Sequence, residues 1–229
     1  VVAMAPKSVR VGQQNAVYPT EPGGGTWIGV NGLGVTYALI NWYAVPWHID
    51  NEPVSRGRVP PIMLATDSLE QAHQVLHDLA LERTPPFRLI GVHPATTAVT
   101  EWRWDLRRLS RIDHPWTSRT WISSGLDEAK SQRVRSQVFR QALTQRSAGT
   151  FAWLRRLHRT HRPRKGSFSH CMHRSDALTV SYTEIIVRPT VATLAYTPGP
   201  PCRTSPLSPI QLQLHSPTLV ASPPRGLHR

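Results

Sequence analysis

Residues 26–41, TWIGVNGLGVTYALIN, place two β-branched and aromatic runs on either side of Asn31-Gly32. Runs of this kind favour extended backbone, and Asn-Gly readily takes the positive φ angles of a two-residue hairpin turn. This part of the chain is therefore read as an antiparallel strand pair. The preceding Gly23-Gly24-Gly25 raises a second reading, a phosphate cradle. A nucleotide loop leaves a strand and opens onto a helix, so that backbone N–H groups and the helix dipole face the phosphates. Here a strand follows the glycines, Gly29, Gly32 and Gly34 lack the G-x-G-x-x-G spacing, and no Gly-Lys-Ser/Thr follows. A nucleotide site is not expected.

The rest of the chain repeats the theme. Residues 1–22 read as extended and polar, with Pro6, Pro19 and Pro22 excluding a long helix. Residues 44–61 read as a proline-rich loop. A helix is expected over 68–81, where Ser68 and Gln71 have capping-box spacing and Leu69, Ala72, Leu76, Leu79 and Ala80 share a face. Residues 87–92 and 98–105 form a second hairpin across HPATT, with Trp102 and Trp104 on one side of their strand. A short strand is expected at 120–124. A long helix follows at 126–146, with Val134, Val138 and Ala142 in one stripe. Another, at 151–159, is capped by Thr150 and buries Phe151, Leu154 and Leu157. A third hairpin turns at Arg188-Pro189-Thr190. From Pro198 the composition is Pro, Ser, Thr, Leu and Arg without periodicity. The expected organisation is one domain, 1–197, and a disordered tail, 198–229. Hairpins separated by helices suggest an α+β domain in which helices cover stacked antiparallel sheets.

Charge narrows the function classes. The 229 residues carry 27 Lys and Arg against 14 Asp and Glu, a formal +13. Residues 126–165 hold eleven of the basic residues against Asp127 and Glu128, a local +9, and no carboxylate follows Glu184. Such a balance attracts anions. No zinc finger, RNA-recognition sheet or KH loop is legible, so a solvated basic helix face is the preferred reading and nucleic-acid binding the lesser one. No stretch has the length of a membrane span. Cys171 and Cys202 do not make a disulfide framework, which favours a reducing, cytoplasmic setting.

Three constellations bear on chemistry. SHCMHRSDA, residues 169–177, follows His158 and His161. A zinc reading recruits His158, His161, Cys171 and His173, but the spacing is not that of a finger, and a hydrogen-bonded loop is preferred. Cys171 and His173 are too close in sequence to suggest a nucleophile and base. In an extended segment Arg174 and Asp176 share a face, as an ion pair or as a pocket wall. WISSGLDE places Ser123 and Ser124 at the start of the long helix, where backbone N–H groups suit an oxyanion, or where Ser124 simply caps. Asn41 closes a mostly apolar strand and needs partners for its amide, as a structural bridge or a ligand contact.

Taken together, AVYPTEPGGGTWIGVNGLGVTYALINW, SRG at 55–57, PFRLIGV with EWRWDL, WISSGLDE and CMHRSDALTVSYTEI resemble the NRDE family, the transport and Golgi organisation 2 type, over about residues 15–197. The resemblance implies an N-terminal nucleophile (Ntn) hydrolase-like fold of four layers, αββα. It makes the glycine run a tight entry into a central strand near the pocket, and it implies attack on an amide or acyl carbon by an amino-terminal cysteine. Family members begin Met-Cys and carry Asn-Arg-Asp-Glu further on. This chain has neither, and residues 1–12 resemble the region just after that motif. The expectation is an amino-terminally truncated form with no catalytic residue of its own, and with Asn41, Ser123, Ser124, His173 and Arg174 as pocket wall. The ligand expected is a small acyl, amide or hydrophobic molecule. Neither a cofactor nor a metal is expected. A non-enzymatic binding or trafficking factor, handling haem or lipid, is the first alternative, and a basic nucleic-acid-binding protein is the second.

Overall fold

A computed structural model describes residues 3–215. It has ten strands: β1 (Met4–Val11), β2 (Gln14–Thr20), β3 (Ile28–Asn31), β4 (Thr36–Asn41), β5 (Phe87–His93), β6 (Ala98–Trp104), β7 (Leu109–His114), β8 (Tyr182–Val187), β9 (Val191–Thr197) and β10 (Ile210–Gln213). Four α-helices accompany them: α1 (Val59–Met63), α2 (Leu69–Asp78), α3 (Glu128–Leu143) and α4 (Phe151–Arg159). Strands β1 to β7 form one antiparallel sheet in sequence order, and β10-β9-β8 form a second. The chain is thus α+β with two antiparallel sheets.

The two faces of the large sheet bury different things. Because side chains alternate along a strand, Ala16, Tyr18, Tyr37, Leu39, Phe87, Leu89, Trp102 and Trp104 lie on one face. They pack with Met63 and Leu64 and with Leu69, Ala72 and Leu76 of α2. On the opposite face Val17 and Val30 meet Ala192, Leu194, Tyr196 and Leu212 of the second sheet. Helices α3 and α4 close on each other through Val138, Phe139, Ala142, Trp153 and Leu157. Arg155 of α4 reaches Glu184 of β8 through Nε and Nη2, which ties this pair to the second sheet.

The joint between β3 and β4 is not the two-residue turn that Asn31-Gly32 suggests. The positive φ falls on Gly34, at 77°. Asn31 works through its fully buried side chain. Its Oδ1 accepts from the N–H groups of Leu33 at 3.1 Å and Val35 at 3.0 Å, and its Nδ2 donates to the carbonyls of Leu64 at 3.2 Å and Thr66 at 2.9 Å. The amide has two donors and two acceptor sites, and all four are used.

Other expectations need correction. Residues 4–20 are extended, as read, and form the paired strands β1 and β2, but β2 is largely buried and not a polar surface strand. Residues 120–124 are loop, and β7 forms earlier. Phe151 is 46% exposed, whereas Trp153, two residues on and on the opposite side of the helix, is buried. Ser68 does cap α2, accepting from Gln71 N–H. The cap of α3 is Asp127, whose carboxylate accepts from Lys130 N–H, not Ser124. The stretch expected to be disordered contains β10, which pairs with β9 in register from Ile210 opposite Leu194 to Gln213 opposite Val191. Three apolar residues at alternate positions, Ile210, Leu212 and Leu214, were too short a signal inside a Pro/Ser-rich stretch. Leu212 nonetheless plugs the inter-sheet core. Residues 216–229 of that stretch lie outside the described residues.

Glu101 of β6 sits on the face opposite α2, with 1% of its side chain exposed. Arg88 Nε donates to it at 2.6 Å and Arg103 Nε at 2.8 Å, with His114 Nε2 at 2.8 Å and Trp121 Nε1 at 3.2 Å. Burial alone would raise its pKa. The hydrogen bonds from Arg103, Arg88 and His114 outweigh that and hold it at about 2, below the ordinary 4.5. A carboxylate so depressed contributes stability above its unfolded pKa, and this is lost as pH falls from about 4.5 towards about 2.

Two outcomes follow. Leu212→Ala lowers unfolding free energy by about 2–3 kcal/mol in urea titrations, in the range for a buried leucine; a change below about 0.5 kcal/mol would show that 198–215 is not part of the domain core. Carboxyl NMR finds Glu101 still ionised at about pH 3.5, and Glu101→Gln costs about 2–3 kcal/mol at pH 7 by taking the carboxylate from the partly buried Arg88 and the more exposed Arg103. A Glu101 midpoint at or above the ordinary value contradicts the network.

Candidate functional site

A cavity of about 580 Å³ opens where β3 and β4 meet the loops at one end of the large sheet. It begins at the glycine run. Glu21 N–H donates to Gly25 O at 2.7 Å, which folds Gly23-Gly24-Gly25 into a tight turn before β3. Thr26 N–H then donates to Gly57 O at 2.9 Å. A Cβ on Gly25 would stand 3.0 Å from the Gly57 carbonyl carbon, so only glycine lets the two backbones approach this closely. The glycine run is therefore a backbone-to-backbone joint with the SRG segment. It has no helix after it and no resemblance to a phosphate loop in space.

From this joint the walls follow. Thr26, Trp27, Leu39 and Asn41 come from the strand pair, Ser55, Arg56 and Gly57 from the loop, and Ser123 and Ser181 from distant segments. Ser55 Oγ accepts from Gly57 N–H at 3.2 Å and caps the 3₁₀ turn Arg56–Arg58. Arg56 Nη1 donates to Pro86 O at 3.1 Å, which fixes the guanidinium at the cavity wall. Burial lowers its pKa, and the nearby Tyr43 opposes that fall; an arginine remains charged throughout. Ser123 Oγ donates to Asn41 O at 2.7 Å, and Asn41 Nδ2 donates to Tyr43 Oη at 2.8 Å. The amide at the strand end thus has its partner, as its position requires.

The five residues expected to form one pocket wall divide. Asn41 and Ser123 line the cavity together; Ser124, His173 and Arg174 are not among its lining residues. Ser124 precedes a helix whose first turn is already occupied by the Asp127 carboxylate, so that helix start is not free for an oxyanion. Arg174 pairs with Asp176 through Nε at 2.8 Å, and Asp176 is well exposed. Arg56, Thr26 and Trp27 were the residues that sequence reasoning left out. Their signal lay in GGGTW and SRG, short segments whose meeting in space depends on the Gly25–Gly57 contact.

His173 belongs to a second cluster. The ligand atoms of His161, Cys171, His173 and Cys202 all lie within 4.8 Å of one another. His173 Nε2 is 3.6 Å from Cys171 Sγ and 3.3 Å from Cys202 Sγ. The zinc set considered from sequence thus gathers three of its four members, with Cys202 in place of His158. His158 faces the Tyr182 ring at 5.0 Å instead. Beside it, burial pushes His170 down to about 4, assisted by His158 and Arg135, so its ring is neutral at pH 7.

The basic stretch 126–165 is partly engaged within the fold. Arg155 holds Glu184, Arg135 donates to the carbonyls of Ser123 and Ser167, and Lys130 lies 4.6 Å from the Phe168 ring centroid. No helix among the described residues is long and apolar enough to cross a membrane. Comparison of the chain with protein-family models and with curated proteins finds no match.

Proposed function

We propose that the chain is an NRDE-type protein with an Ntn-hydrolase-like αββα arrangement, and that its cavity captures a small molecule bearing an acyl, amide or carboxylate group. One observation carries the reading. The segments that resemble the family are far apart in sequence, yet four of them line one cavity: GGGTW through Thr26 and Trp27, SRG through Ser55 to Gly57, WISSGLDE through Ser123, and the segment ending in TVSYTE through Val180 and Ser181. Two facing antiparallel sheets, with α2 against the outer face of one and α4 linked to the other, support the layer order.

The wall chemistry suits such a ligand. Trp27 and Leu39 contribute apolar lining, while Ser55, Ser181 and Arg56 contribute donors. Mostly apolar walls with a few placed polar groups are the equipment of a small-molecule site. Arg56 is the group that recognises a carbonyl or carboxylate oxygen, since its charge strengthens the hydrogen bond in a partly dry site. Acyl transfer through an amino-terminal cysteine is what the resemblance implies for the family. The reading for this chain is capture of the ligand.

Titration calorimetry with a series of N-acyl amides and the matching free carboxylic acids tests it. One-to-one saturable binding is expected for at least one class. Arg56→Gln weakens it by about 10-fold or more, the loss of one charge-assisted hydrogen bond, and Ser181→Trp abolishes it by filling the cavity from its wall. Absence of binding across the series, or binding that neither substitution alters, contradicts the reading. Steady turnover of any amide would replace capture with catalysis.

A further inference from the structure

Residues 160–181, between α4 and β8, carry no regular element, only an isolated bridge between His173 and Leu178. Irregular segments of this length inside a domain are unusual and need something to hold them. This one supplies Cys171 and His173. His161 stands just past the end of α4, and Cys202 stands in the turn after β9. The two ends of the irregular segment's first half and the turn after β9 thus converge on one point, with three ligands from residues 160–181 and one from a separate segment.

We propose that His161, Cys171, His173 and Cys202 bind one zinc ion as a closed structural site. A tetrahedral zinc with Zn–S near 2.3 Å and Zn–N near 2.0–2.1 Å sets its S and N ligand atoms about 3.5 Å apart. The observed 3.3 Å and 3.6 Å between His173 Nε2 and the two sulfurs match that edge before any ion is placed. The Nε2 of His161 is buried and has no hydrogen-bond partner among the described residues. A buried, unpaired ring nitrogen is costly, and a metal bond removes the cost. Cys171 is fully buried, so the site is shielded from water on that side. Two imidazoles and two thiols favour zinc over calcium or magnesium, which take oxygen ligands.

The backbone already aims the ligands. Cys171 N–H donates to Thr160 O, and His173 N–H to Gly166 O, both at 3.2 Å. Ser169 Oγ donates to the carbonyl of Cys171 at 2.6 Å. When zinc binds, each thiol gives up its proton to solvent, and the two thiolates balance the charge of the ion. Four protein ligands leave no open position for a reacting water, so the role is to clasp. The clasp joins the end of α4 and the turn after β9 to the loop whose far end supplies Ser181 to the cavity.

The test is metal analysis of the full chain purified under reducing conditions and reconstituted with zinc, followed by cobalt replacement. About one zinc per chain is expected. Cobalt gives the visible absorption of a tetrahedral site with a near-ultraviolet thiolate band whose strength corresponds to two thiolates. Cys171→Ser, Cys202→Ser and His173→Ala each lower zinc affinity by more than the about 10–100-fold that loss of an outer partner costs. His170→Ala, a neighbouring histidine outside the set, retains the ion. The cobalt spectrum of the unaltered chain keeps the test valid if a variant fails to fold. A reduced chain that holds no zinc, cobalt without thiolate bands, a Cys171–Cys202 disulfide that persists in preference to metal, or undiminished zinc in Cys202→Ser each overturns the proposal.

Discussion

One side-chain amide holds the joint on which the architecture turns. Asn31 ends β3 with both donors and both acceptor sites engaged, two with the β3–β4 turn and two with the carbonyls that follow α1. Thr66, one of those carbonyl residues, passes the connection on. Its hydroxyl meets Tyr37 Oη at 2.9 Å and Met63 O at 2.7 Å. The same turn receives β2 and the segment after β10, since Gly32 N–H donates to Asn15 O and Gly32 O accepts from His215 N–H. A short α1 of five residues has little intrinsic stability in water; here it is pinned at its last turn.

This joint explains why the sheet can have two unlike faces. Pinning α1 over Tyr18, Tyr37 and Leu39 covers one face with helix. The other face is left to Val17 and Val30, which are covered by the second sheet, and to Glu101, which is covered by two arginines and a histidine. Apolar burial and paired charge are two solutions to the same demand, that nothing polar be buried alone. The cavity lies where neither solution reaches, and its walls are the ends of the β3–β4 pair and loops fastened to them by backbone contacts.

What was legible in the sequence was local. The strand runs around Asn31-Gly32, the Ser68 cap of α2, the Thr150 cap of α4 and the same-side placement of Trp102 and Trp104 all follow from periodicity and short-range chemistry. The misplaced features depend on distant partners. Asn31 looks like a turn residue until the carbonyls of Leu64 and Thr66 are seen above it. Cys202 looks like part of a featureless tail until β10 brings the chain back against β9. Arg56 looks unremarkable in a short tripeptide until Gly57 touches Gly25. In the candidate site, Asn41 was within reach of sequence reasoning because it ends a recognisable strand, and Ser123 because it stands shortly before a recognisable helix. His173 and Arg174 lie on an irregular loop, whose path no local rule sets.

Native-state hydrogen exchange of the Leu33 and Val35 amides addresses the joint most directly, because both donate to Asn31 Oδ1. The account predicts that these two turn amides exchange only with global unfolding, with the same free energy and denaturant dependence as the central strands β4 and β5. Exchange through local opening, several kcal/mol below the global value and insensitive to denaturant, would mean that the turn is a loose connection and that the sheet and helix layers are held together by something else.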